Sequence, residues 1–125
     1  MAIPRISKED LKARLDADPP DTRPVLVDAR LKYPYEHSTV TLPGAVRVSP
    51  GNPDWSVLPP DREVVVYDSD PDELVGAPLV AQLLDRGIKA AALKGGIGEW
   101  MAASLPTEPK AGTPQAPPDA GPSKG

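Results

Sequence analysis

The sequence predicts an α/β domain: a parallel-type sheet of four to five short strands with helices on both faces. Three observations carry that prediction. The apolar runs Val25–Val27 and Val64–Tyr67 read as strands buried on both faces, and each runs into an aspartate, Asp28 or Asp68. Leu79, Val80, Leu83 and Leu84 then repeat at helical spacing. Helices alternating with buried strands pack as a mostly parallel sheet, and function in such sheets gathers at the C-terminal ends of the strands, where Asp28 and Asp68 fall.

Taken in order, Ser7 followed three residues later by Asp10 is a capping pattern, and Leu11 and Leu15 share one face, so the sequence predicts a helix from residue 8 to about 17. Asp18-Pro-Pro-Asp-Thr stops it, and Val25–Val27 follows as the first strand. The turn Leu42-Pro43-Gly44 leads into a shorter strand, Ala45–Val48. Val64–Tyr67, all β-branched or aromatic, is the strongest strand of the chain. The helix over Leu79–Leu84 ends at Gly87, in the position of a C-terminal cap. Ala90–Leu93 is a strand by position, Gly95-Gly96 turns the chain, and a short segment around Trp100 closes the core before Leu105-Pro106.

Composition sets the boundary and excludes chemistry. Of 18 prolines in 125 residues, six lie beyond Leu105 in a stretch without an apolar run, so residues 1–106 are expected to form the domain and 107–125 a disordered Pro-rich tail. Pro114-Gln-Ala-Pro117 in that tail has the count of a polyproline II ligand without the basic flank. With no cysteine, the chain has no disulfide, no thiolate metal site and no thiol nucleophile. A net charge of −4 argues against nucleic acid or an anionic membrane as partner. No apolar run approaches the roughly 20 residues that span a bilayer, and Ser7–Asp10 is polar where a leader would be apolar, so a cytoplasmic place is expected.

The segment Asp68-Ser69-Asp70-Pro71-Asp72-Glu73 holds four acids in six residues, a charge equal to the net charge of the whole chain. A structural reading makes Asp70 an N-cap, Pro71 the first helical residue and Glu73 the residue reaching back to close a capping box. Because Pro78 removes the backbone partner of Leu74, a separate turn over 71–75 and a helix from about 77 is the competing arrangement. As a calcium loop the segment fails, with Glu73 at the place of the glycine and Leu79 at the place of the bidentate acid. Strand followed by Asp-x-Asp also resembles the first motif of haloacid-dehalogenase-type phosphatases, which implies Asp68 as nucleophile and Asp70 as general acid; that family has a small hydroxyl residue or valine where this chain has Asp72.

An ordered series of short motifs carries a further resemblance. Val27-Asp-Ala-Arg30, Leu42-Pro-Gly-Ala-Val46, Val64–Tyr67 before a loop and helix, Leu84-Asp-Arg-Gly87, Leu93-Lys-Gly-Gly96 and Trp100 with Pro106 together resemble a rhodanese-like domain over about residues 4–106. The loop is similar to a subgroup reading Tyr-Cys-x-Cys-Pro-x-Glu: Tyr67, Pro71 and Glu73 match, while Asp68 and Asp70 stand where that subgroup has cysteines. The resemblance implies the family's fold and a persulfide on the loop cysteine, a low-pKa thiolate cradled by backbone N–H groups. A carboxylate accepts no sulfur, so sulfurtransferase and cysteine-phosphatase activity are not expected, and the neighbouring acids are expected to repel anions from the loop. No catalytic residue, cofactor or metal is expected.

What remains is an inactive family member, a binding or regulatory module that meets a protein partner through the 68–73 loop. The alternative is an aspartate-nucleophile hydrolase using Asp68 and Asp70, which needs a further acid at the strand ends. Asp28 and Arg30 are expected to form a structural ion pair, together with Glu36. Gly44, Gly95, Gly96 and Trp100 are structural, Trp55 packs on the surface, and His37 is a solvated loop residue.

Overall fold

The computed structural model describes residues 3–16, 23–59, 61–70 and 72–110. The elements in chain order are β1 (Arg5–Ile6), α1 (Lys8–Leu15), β2 (Val25–Asp28), α2 (Lys32–His37), β3 (Val40–Thr41), β4 (Val46–Arg47), a 3₁₀ turn (Trp55–Val57), β5 (Val64–Tyr67), α3 (Gly76–Asp85), β6 (Ala90–Leu93), α4 (Gly96–Ala102) and β7 (Glu108–Pro109). Five strands form one parallel sheet, as predicted, and their order is β1-β6-β5-β2-β4.

The alternation of strand side chains divides the core in two. Val64 and Val66 of β5 pack with Val27, Ala92 and the α3 residues Leu79, Val80 and Leu83 on one face. Val65 and Tyr67 point to the other, against Leu11 of α1 and Ile97 and Trp100 of α4. Both faces of the central strands are covered, which is why β2, β5 and β6 read as continuous apolar runs. Ser7 caps α1 as its sequence required, its Oγ accepting the N–H of Asp10 at 3.0 Å.

Several expectations change. Trp55 is buried in the α3-side core, since its 3₁₀ turn folds the ring under the sheet instead of along the surface. His37 is exposed but closes the short helix α2. Secondary structure continues past residue 106, where composition placed the boundary: β7 pairs antiparallel with β3, Thr41 opposite Glu108 and Val40 opposite Pro109. The backbone N–H of Gly44 donates to Glu108 Oε1 at 2.6 Å, and Lys110 Nζ donates to the carbonyl of Tyr35 at 2.6 Å. The described chain runs through Lys110, and the Pro114–Pro117 motif lies outside the described residues. Among the described residues, no helix is long and apolar enough to cross a membrane.

Candidate functional site

The register of the sheet sets two aspartates side by side. Asp28 ends β2 opposite Tyr67 of β5, and the chain continues from Tyr67 directly into Asp68. The N–H of Ala29 donates to the carbonyl of Tyr67 at 2.8 Å, so the two strand ends leave the sheet together. Both carboxylates are 1% exposed.

Asp28 is neutralised by cations. Arg30 Nη2 lies 2.6 Å from Oδ2 and Arg30 Nε 2.9 Å from Oδ1, a fork on a carboxylate with both partners buried. The Tyr67 hydroxyl adds a hydrogen bond to Oδ2 at 3.0 Å and accepts the N–H of Leu42 at 3.2 Å. Burial and the charge of Asp28 push the Tyr67 phenol far above its ordinary range, which keeps it a donor. The third member is Arg47 and not Glu36: its Nη1 donates to the carbonyls of Arg30 at 2.6 Å and Asp28 at 3.2 Å. Arg47 and Lys110 also stand over the Tyr35 ring, 4.0 and 4.2 Å from its centre. Nothing in the local sequence of Arg47 marks it; its role comes from the pairing of β4 with β2.

Among the described residues, no cation pairs with Asp68. The backbone N–H of Asp70 donates to Oδ1 at 3.0 Å, and those of Val75 and Gly76 donate to Oδ2 at 2.9 and 2.6 Å. Gly76 opens α3, so this carboxylate caps a helix that begins eight residues downstream. Burial moves the carboxyl above its ordinary range against the pull of the three N–H donors, and the charge of Asp70 is the smallest contributor.

The other loop residues take places that the capping-box reading did not foresee. Asp70 Oδ1 accepts the N–H of Asp72 at 2.7 Å, a local turn in place of a helix start. Glu73 does not reach back. It sits at φ 56°, is buried, pairs with Arg5 of β1 and accepts the N–H of Gly95 at 3.1 Å. Of the two arrangements weighed, the turn followed by a separate helix is the one formed. Ser69 and Asp72 are exposed, and Pro71 lies outside the described residues.

The glycines hold the loop down from the other side. Gly96 has φ 64°, and a Cβ there would stand 2.4 Å from the carbonyl oxygen of Asp68, which accepts the N–H of Ile97 at 2.9 Å. At Gly95, with φ 77°, a Cβ would collide with Glu99. Gly44, with φ 71°, forms the turn that receives Glu108. Trp100 is fully buried, its indole N–H donating to the carbonyl of Pro106 at 2.7 Å.

The sequence profile of the rhodanese-like domain matches residues 7–103, most of the chain. The chain belongs to the rhodanese-like domain family. Solved structures agree on the fold. A full-length protein of Lactobacillus plantarum superposes with a TM-score of 0.72 at 24% identity, covering 85% of this chain and 88% of that one. A rhodanese-like domain protein of Staphylococcus aureus gives 0.61 at 19% identity, over 78% and 91% of the two chains. A rhodanese-related protein of Thermoplasma volcanium gives 0.61 at 16% identity, over 84% and 97%. No curated protein matches the sequence. In this rhodanese-like domain the strand-end loop is built, with its N–H groups turned inward, around a carboxylate.

That arrangement does not favour an aspartate nucleophile. Both oxygens of Asp68 are engaged and buried, and Asp28, the nearest further acid at the strand ends, is tied to Arg30. Among the described residues, no group of three or more His, Asp or Glu side chains could hold a metal ion.

Proposed function

We propose that this rhodanese-like domain transfers no sulfur and serves as a binding or regulatory module, meeting a protein partner through the face that carries residues 68–74. The observation that supports this most is the Asp68 carboxylate, seated where the family's loop cysteine would stand and engaged by three backbone N–H groups. Persulfide chemistry needs a nucleophilic thiolate that attacks the sulfur donor and keeps its outer sulfur, and a carboxylate cannot replace it. The loop keeps its shape without that chemistry, and what it presents outward is recognition surface. Leu74 is 68% exposed and stands beside the exposed acid Asp72, an apolar side chain next to a charge. A cytoplasmic place is part of the same proposal.

The test has two arms. Purified protein is expected to give thiosulfate:cyanide sulfurtransferase turnover equal to a buffer blank; turnover that survives removal of contaminating thiols would end the inactive reading. A photo-crosslinking amino acid at position 74 is expected to trap a discrete protein adduct in cells, whereas one at position 84, on the outer face of α3, is not. Equal labelling from both positions, or none from 74, would contradict the module reading.

A further inference from the structure

We infer that the backbone N–H groups of Asp70, Val75 and Gly76 form an anion cradle occupied by its own ligand: the Asp68 carboxylate is the resident anion, and the cradle takes none from outside. This goes beyond the module proposal and stands whether or not a partner exists.

A carboxylate at a loop of inward N–H groups and a helix N-terminus occupies the place such a site offers to an external anion. Three donors converge here on two oxygens that belong to one buried side chain, at 2.6 to 3.0 Å. Two of them, Val75 and Gly76, begin a helix of ten residues, long enough for its dipole to add to the attraction. Among the described residues no cation competes for the carboxylate, in contrast to Asp28. Gly96 packs against the carbonyl of Asp68, and Glu73, paired with Arg5, sits on the far side of the loop. The cradle is filled by the chain itself. An oxyanion such as sulfate, phosphate or thiosulfate would have to displace a tethered carboxylate whose local concentration is that of an intramolecular group. Recognition at this loop then rests on outward side chains and not on an anion hole.

Emptying the cradle tests this. Asp68→Ala leaves the three N–H groups without their acceptor, and its melting temperature is expected to fall by several degrees. Formate, the carboxylate small enough to enter the space left by the side chain, is expected to return a large part of that loss at tens of millimolar, with sodium chloride at equal ionic strength giving none of it. The same formate is expected to leave the wild-type protein unchanged. Equal effects of formate on both proteins, or no formate-specific effect on the variant, would overturn the inference. A second measurement does not depend on the variant folding: in the wild-type protein, the amide resonances of Asp70, Val75 and Gly76 are expected not to move on titration with sulfate or thiosulfate. A saturable shift of those three would show a cradle open to outside anions and refute the assignment.

Discussion

Two neighbouring strands of one sheet end in aspartates that are equally buried and opposite in electrostatic design. At the end of β2, Asp28 is held by the guanidinium of Arg30, with Arg47 and the Tyr67 hydroxyl completing its shell. At the end of β5, Asp68 has no countercharge among the described residues and is held by backbone N–H groups. The first is a strut: its partners are side chains from the segment just after β2, from β4 and from β5, and it ties those strand ends together. The second is a ligand: its partners are the loop and the helix N-terminus that the family would turn toward a reactive thiolate. A strand-end aspartate is thus a structural ion pair or an internal anion according to whether an arginine or a loop of N–H groups is presented to it.

Removing either carboxylate measures that difference. Asp28→Ala leaves Arg30 buried and unpaired beside Arg47, and the expected loss is about 3–5 kcal/mol, read by urea unfolding. Asp68→Asn is nearly isosteric yet less stable by about 1–3 kcal/mol, because the amide NH₂ cannot accept a backbone N–H and leaves at least one donor without a partner. Asp68→Asn as costly as Asp28→Ala would erase the distinction between strut and ligand.

The C-terminal clasp has a smaller effect. Ending the chain after Thr107 removes the β3–β7 pairing, the Glu108 acceptor of Gly44 and the Lys110 contacts at Tyr35. These contacts are exposed or half-buried, and the expected loss is about 1 kcal/mol, a drop of a few degrees in melting temperature. A melting temperature within error of the full chain would return the boundary to the place composition suggested.

The least effect, and the most specific in sign, comes from pH. The Arg14 hydrogen bond holds the Glu63 carboxyl below its ordinary value, so its contribution is present above the unfolded pKa and is lost as pH falls through the folded one. Asp68, raised by burial, has the reverse sign: the fold favours its protonated form, a contribution present below the unfolded value of 3.8 and lost as pH rises through the folded one. A protonated carboxyl keeps a lone pair on each oxygen, which an amide does not. Relative to wild type, the deficit of Glu63→Gln is therefore expected to shrink on acidification while that of Asp68→Asn grows. Parallel pH trends in the two variants would show that the two carboxyls share one environment.

Much of this was legible in the sequence, and the remainder was not for stated physical reasons. The long strands, α1 with its Ser7 cap, and α3 follow from local pattern, because burial on one or both faces writes itself into periodicity. The two-residue strands β1, β3 and β7 are too short to carry a period. The pairing of Asp28 with Arg30 spans two residues and was predictable; the replacement of Glu36 by Arg47 depends on strand order, which no local motif encodes. The acidic loop misled in an instructive way. Asp70-Pro-Asp-Glu73 satisfies every sequence rule for a helix start, yet the helix begins at Gly76 and its cap comes from Asp68. Glu73 is drawn instead to Arg5, 68 residues away, a partner visible only once β1 lies beside β6.

The central claim is that the loop N–H groups are held by the side chain of Asp68, and amide hydrogen exchange reads those groups directly. In the wild-type protein Val75 and Gly76 are expected to exchange slowly although they open a helix, where first-turn amides ordinarily have no partner. In Asp68→Asn at least one of the two should lose that protection, while both keep it in a folded variant altered at Asp28. Unchanged protection of both amides in Asp68→Asn would mean that the carboxylate is not what holds the loop, and the account of Asp68 as an internal ligand would be wrong.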